Sequence, residues 1–196
     1  MDTLSRCALA AAALAFAAAS THAAPDIRKI IDEYGLFGDT AAPPLRARDT
    51  IAAWPEHSRD MARVLIEEYG RPATVEKDRL TWLKKRPWKK IVVFRDPQGP
   101  GLPGILLQSV AYEVPVARWQ ELSHFERGVS YDAAGRELTA RSDSAPTNIL
   151  ALNLAYDVIR GRRSAAEATA FYDKTLKLSF AGKSSPYMRG LIFRPR

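Results

Sequence analysis

The clearest periodicity in the chain lies within residues 58–94. Met61, Val64, Leu65 and Tyr69 recur at helical spacing, with Arg59, Asp60, Arg63, Glu67 and Glu68 between them. One apolar stripe with polar flanks predicts a helix, opened by Ser58 as N-cap, closed by Gly70, and stopped by Pro72. The period then changes. Leu80 and Trp82 alternate with Thr81 and Leu83, Lys84 to Pro87 are a polar turn, and Trp88-Lys89-Lys90-Ile91-Val92-Val93-Phe94 is rich in β-branched and aromatic residues. These two runs predict a hairpin with the helix laid on one face.

Residues 96–104 form a Pro- and Gly-rich loop, and residues 105–114 predict a further strand in the sheet interior, with Val110, Tyr112 and Val114 on one face. Val116, Trp119, Leu122 and Phe125 predict a short helix over residues 115–125, packed through Trp119. Val129 to Asp132 and Glu137 to Ser142 flank Ala133-Ala134-Gly135-Arg136 as a second hairpin. Residues 148–160 are apolar nearly all round, which predicts a helix buried over most of its circumference and closed by Gly161. Ser164-Ala165-Ala166-Glu167 is a capping box opening another helix, whose Ala168, Phe171, Tyr172, Leu176 and Phe180 should face the core. The tail, residues 183–196, should dock as an extended segment through Tyr187, Leu191, Ile192 and Phe193. Residues 58–196 thus predict a single α+β domain: an antiparallel sheet of about five strands packed by helices, with a C-terminal helical pair.

The chain begins differently. Arg6 and the amino terminus supply a positive charge, residues 7–19 are an apolar run rich in Ala and Leu, and Thr21-His22-Ala23 is a small-x-small pattern. Residues 1–23 therefore read as a secretory signal peptide cleaved after Ala23, since cleavage one residue later would place His22 at a position that requires a small side chain. The apolar run is shorter than the roughly 18 residues that span a bilayer. Residues 24–57 predict a short helix to Tyr34 along the stripe Ile27, Ile30, Ile31 and Tyr34, then an irregular connection with at most a turn of helix at residues 50–54. Ile31-Asp32-Glu33-Tyr34-Gly35 echoes Ile66-Glu67-Glu68-Tyr69-Gly70, but the residues after the two copies differ.

Export changes how composition is read. The one cysteine, Cys7, lies in the signal peptide, so the mature chain has neither disulfides nor thiol chemistry. A formal net charge of +7 would suggest nucleic acid in a cytosolic protein. In the periplasm it points instead to an anionic envelope surface or a periplasmic protein partner, with no nucleic acid and no transmembrane span after cleavage. Lys84, Lys85, Arg86, Lys89 and Lys90, with Trp88 among them, are the densest basic cluster, and Arg160, Arg162 and Arg163 a second. Each reads either as a binding patch or as an ordinary solvated turn or helix end.

Asn153 and Asp157 are one helical turn apart inside the apolar helix, with Arg160 beyond them. Buried polar groups left unpaired cost about 1–3 kcal/mol each, so partners are required, and Arg141 at the end of the second hairpin is a candidate for Asp157. This group reads as a structural ion pair or as a polar pocket for a small ligand. An enzymatic reading, with a carboxylate-based hydrolase nearest to the residues present, finds little support. His57 and His124 have no metal-ligand spacing, Ser123 stands beside His124 as a local Ser-His pair, and no Gly-x-Ser-x-Gly elbow occurs. No cofactor is implied. The expectation is a non-catalytic periplasmic binding or interaction module.

The run from Asn148 to Val158, followed by Gly161, Glu167-Ala168, Phe171-Tyr172, Ser185-Pro186-Tyr187 and Gly190-Leu191, resembles a group of uncharacterised exported bacterial proteins over residues 61–193. That resemblance implies a periplasmic module and no particular activity. The order of helix, Tyr69-Gly70-x-Pro72 and paired strands carrying Trp82 resembles the small outer-membrane lipoproteins of the SmpA/OmlA type, over residues 58–94 alone. This second likeness implies helices on a small antiparallel sheet and a role as a non-enzymatic assembly partner. Cys7 opens the apolar run instead of following it, so the lipid attachment of those proteins does not carry over.

Expressed in a secreting bacterium, the mature chain should begin at Ala24. N-terminal sequencing of the exported protein checks this, and an intact Met1 would overturn it.

Overall fold

The computed structural model describes residues 43–97 and 104–196. The expected signal sequence, the helix expected up to Tyr34 and the first copy of the Tyr-Gly echo lie outside the described residues, as does most of the loop after Phe94. The fold is α+β, a six-stranded antiparallel sheet with helices.

Two helices open the described part. α1 (Pro43–Ala52) is ten residues long where the sequence predicts a largely irregular connection. Its stripe is Ala47 and Ile51, continued by Trp54 just past its end, all buried, and the small Ala47 hides the periodicity from a reading that looks for large anchors. α2 (Glu56–Tyr69) starts two residues before Ser58, with Pro55 as N-cap. Ser58 is therefore not the cap. It lies on the inward face, and its hydroxyl donates to the Arg95 carbonyl at 2.6 Å, tying the helix to the end of a strand. The buried stripe is Ser58, Ala62 and Leu65, whereas Val64, expected inside, is exposed. Small residues at the contact let the helix approach the sheet closely.

The sheet runs in the order β1-β2-β3-β4-β6-β5, every neighbouring pair antiparallel. β1 (Thr74–Val75) is a short edge strand not anticipated from the sequence, which makes six strands rather than five. β2 (Arg79–Lys85) and β3 (Trp88–Phe94) form the expected hairpin, in register Trp82 to Ile91 and Lys85 to Trp88, with a cis Arg86–Pro87 bond in the turn. β4 (Leu106–Ala111) occupies the sheet interior between β3 and β6. β5 (Val129–Asp132) and β6 (Glu137–Ser142) are the second hairpin. Leu80, Trp82, Ile91, Val93, Leu106, Val110, Leu138 and Ala140 alternate along these strands and are completely buried.

Between β4 and β5 a 3-10 turn (Val116–Arg118) leads into α3 (Trp119–Ser123). The segment packs through Leu122 and Phe125. Trp119 is 40% exposed, contrary to expectation, because its indole N–H turns back to the Val114 carbonyl.

α4 (Ala145–Ile159) is buried at ten of its fifteen positions. Ser144 caps it by accepting from the Thr147 N–H, and Gly161 at φ 68° ends it. The Gly161 N–H bonds the Val158 carbonyl and the Arg162 N–H the Asp157 carbonyl, a Schellman closure. α5 (Ala165–Phe180) begins at the expected capping box, with Ser164 and Glu167 bonding each other's backbone N–H. Ala168, Tyr172 and Thr175 are buried and Phe171 and Leu176 half-buried, but Phe180, expected inside, is 88% exposed because the last turn runs past the edge of the core. The tail docks through a 3-10 turn (Pro186–Met188) and Phe193, while Ile192 points outward.

Two glycines test this geometry. A Cβ on Gly104, at φ 98°, would fall on the Ser142 backbone, where the chain entering β4 crosses the end of β6. Gly182, at φ 78°, has open space around it. Gly104→Ala should lower the unfolding free energy by roughly 2–4 kcal/mol and Gly182→Ala by only about 1 kcal/mol. Urea denaturation of the two variants measures the difference, and equal losses would contradict the close approach.

Candidate functional site

The basic residues around Trp88 separate into a structural set and a free set. Trp88 is buried, and its indole N–H donates to the Tyr69 hydroxyl at 3.2 Å. Burial and a hydrogen bond with Glu68 push that hydroxyl up to about 12. Trp88 therefore anchors α2 to the hairpin and presents no surface to a ligand. Lys89 and Lys90 reach the two oxygens of Glu137 at 2.9 and 2.8 Å, and Lys89 also donates to the Gly135 carbonyl in the β5–β6 turn. Burial raises the Glu137 carboxyl, but hydrogen bonds from Lys90, Ser109 and Lys89 outweigh it and bring it down to about 2. Both lysines are cross-braces between β3 and β6. Lys84, at φ 54°, together with Lys85 and Arg86, is left at the turn, and no carboxylate among the described residues pairs with any of the three.

Arg160, Arg162 and Arg163 divide in the same way. Arg163 lies 3.2 Å from Asp157 Oδ2 and over the Phe171 ring, and Arg162 lies 3.5 Å from Asp157 Oδ1 and over the Tyr156 ring. Arg160 is exposed, with no acidic partner among the described residues.

Asn153, Asp157 and Arg141 do not come together as one group. Asn153 donates to the Tyr187 and Gly190 carbonyls and accepts from the Ile192 N–H, so its amide is spent on holding the tail. Asp157 accepts from the Tyr187 hydroxyl at 2.8 Å and pairs with Arg162 and Arg163 rather than with Arg141. Arg141 lies on β6, its guanidinium 4.0 Å from the Phe94 ring centre and its Nε donating to the Gly104 carbonyl. The separation arises from the strand alternation: Arg141 pairs in register with Leu107, whereas the residues facing the core on β6 are Leu138 and Ala140. Of the two readings left open by the sequence, the geometry of Asp157 and Asn153 is that of a structural latch.

The histidines are equally separate. His57 and His124 are exposed, and the Ser123 hydroxyl donates to the Gln120 carbonyl within its own helix rather than engaging His124.

One cleft joins sequence-distant cations. About 650 Å³ in volume, it lies between the β2–β3 turn and the C-terminal segment, lined by Arg86, Pro87, Leu191, Phe193, Arg194, Pro195 and Arg196. The segment is fixed there by the Arg196 N–H on the Ala111 carbonyl, at the end of β4, and by Arg196 against Glu113 at 2.6 Å. Phe193 stacks on Tyr156 at 4.8 Å and meets Tyr112 edge-on at 5.4 Å. Burial raises the Tyr112 hydroxyl, with Tyr156 adding to the rise and Arg160, Arg196 and Arg162 opposing it, which puts those cations close to the aromatic cluster. Arg194 is exposed and, like Arg86, has no acidic partner among the described residues. Neither Arg194 nor Arg196 stands out in the sequence. Their only trace is the composition of the Arg-Gly-Leu-Ile-Phe-Arg-Pro-Arg terminus, which gives no address on the fold.

No family model, curated protein or solved structure matches this chain.

The Glu137 brace carries a pH dependence. Its folded pKa of about 2 lies below the unfolded value, so its contribution is present above about pH 4 and is lost as pH falls from there toward 2. Glu137→Gln should cost on the order of 1–3 kcal/mol at neutral pH and only a small part of that near pH 2. Denaturation midpoints across that range test it, and an acid slope identical to that of the parent protein would refute it.

Proposed function

We propose that the chain is an exported, non-catalytic binding module of the bacterial periplasm that engages an anionic envelope component through the cationic end of its sheet. The observation that carries this reading is the state of the charges there. Glu137 and Glu113 are taken up by Lys89, Lys90, Arg136 and Arg196, while Lys84, Lys85 and Arg86 at the β2–β3 turn and Arg194 beside them have no acidic partner among the described residues. Unpaired cations gathered on one end of a rigid sheet attract anionic surfaces over about a Debye length, roughly 10 Å at 0.1 M salt.

Support for export comes from the pattern of residues 1–23 and from a mature chain without cysteine. No helix among the described residues is long and apolar enough to cross a membrane. Contact with the envelope would then be peripheral. The resemblance to exported bacterial proteins and to outer-membrane assembly lipoproteins points in the same direction.

Lys84 and Lys85 are the test positions, because Lys89 and Lys90 hold the fold together. Co-sedimentation with phosphatidylglycerol vesicles at low salt should fall roughly tenfold to thirtyfold in Lys84→Gln/Lys85→Gln, at about 1 kcal/mol per cation near an anionic surface. Added salt should release the parent protein. Equal pelleting of parent and variant, or equal binding to phosphatidylcholine vesicles, would reject the proposal.

A further inference from the structure

The cleft beside the β2–β3 turn combines three arginines with an apolar lining of Pro87, Leu191, Phe193 and Pro195. We propose that it binds a phosphate monoester attached to an apolar group. The inference rests on the reading that this end of the sheet meets anions, and it narrows that reading to one cleft and one ligand chemistry.

Three features argue for it. The first is charge. Of the three lining arginines, Arg196 is matched by Glu113, and Arg86 and Arg194 are not. Two uncompensated guanidiniums fit the charge of a phosphate monoester, about −1.5 to −2 at neutral pH, better than that of a single carboxylate. Their planar donor forks suit its oxygens.

The second is the wall. Pro87, Leu191, Phe193 and Pro195 supply the apolar lining, and Phe193 is held in place by its stack on Tyr156 and its edge contact with Tyr112. A free anion would use the arginines and leave this surface wet, whereas an attached chain or ring would cover it. The cleft volume of about 650 Å³ leaves room for both parts.

The third is anchoring. The segment carrying Leu191, Phe193 and Arg194 is not a loose end. Asn153 holds Ile192 through its N–H, and the Ala111 carbonyl holds Arg196. The polar groups of α4 that looked like a pocket in the sequence thus build one wall of a cleft elsewhere.

The test titrates the purified mature protein by calorimetry with dihexanoyl phosphatidic acid kept below its micelle concentration, and in parallel with inorganic phosphate and dihexanoyl phosphatidylcholine. Saturable binding of the phosphatidic acid is expected, at least about tenfold tighter than inorganic phosphate and absent for phosphatidylcholine. Arg86→Gln/Arg194→Gln should weaken it by about tenfold or more without lowering the melting temperature, because both side chains are exposed. Equal affinity for phosphate and phosphatidic acid would overturn the apolar half of the proposal. Undiminished binding in the arginine variant, or no binding of phosphatidic acid, would overturn the cleft as the site. Vesicle pelleting that still depends on Lys84 and Lys85 would in that case leave the broader function standing. Saturable phosphatidic acid binding without vesicle association would instead retain the cleft and reject the surface.

Discussion

A helix buried on nearly every side needs partners for the polar side chains it buries, and α4 buries three, with Asp157 Oδ1 left without a hydrogen bond and faced by Arg162 at 3.5 Å. Asn148 bonds the Leu106 carbonyl, the Gln108 side chain and the Ser142 hydroxyl, joining β4 and β6 from below. Asn153 holds the tail, and Asp157 holds Tyr187 and the two arginines just past the helix. Between them Leu150, Leu152 and Leu154 are fully enclosed, each worth about 1.5–3 kcal/mol relative to exposure. The leucines supply stability without direction. The polar residues supply direction, since an amide or carboxylate buried without its partner would forfeit about 1–3 kcal/mol.

This constraint divides the charges. Cations committed to the fold sit where a carboxylate is at least partly shielded: Arg162 and Arg163 on Asp157, Lys89 and Lys90 on Glu137. Among those with no acidic partner in the described residues, Lys84, Lys85 and Arg86 lie at the β2–β3 turn and Arg194 on the tail that α4 holds in place. Ion pairs cancel within the net charge of +7, so the excess is carried by cations that have no carboxylate of their own. Arg86 and Arg194 belong to that excess and line one cleft with Phe193, and that placement is what the proposed ligand chemistry uses.

Much of the architecture was legible in the chain. Both hairpins, the buried helix, the capping box of α5 and the docked tail are set by alternation, helical periodicity and end signals, which are local and act within a few residues. The failures have a common cause. α1 escapes notice because its stripe begins with Ala47, a residue that marks a contact only when a neighbour is known to be close. Hydrophobicity alone places Val64, Trp119 and Phe180 in the core, yet a helix face turns toward whichever side permits the closest packing, and a last turn can overrun the core. β1 is two residues long, too short for any period to show.

By itself the sequence determined the α+β class, the order of its elements and the demand that Asn153 and Asp157 find partners. Which partners they found, and which cations stayed free, was decided by the tertiary structure alone. Arg141 is closer in sequence to Asp157 than Tyr187 is, but strand alternation sets it over Phe94, and the tail arrives in its place. Arg86 and Arg194 come to share a cleft by the same logic: β-strand register and helix packing set distances between residues far apart in the chain, and no local pattern encodes such a distance.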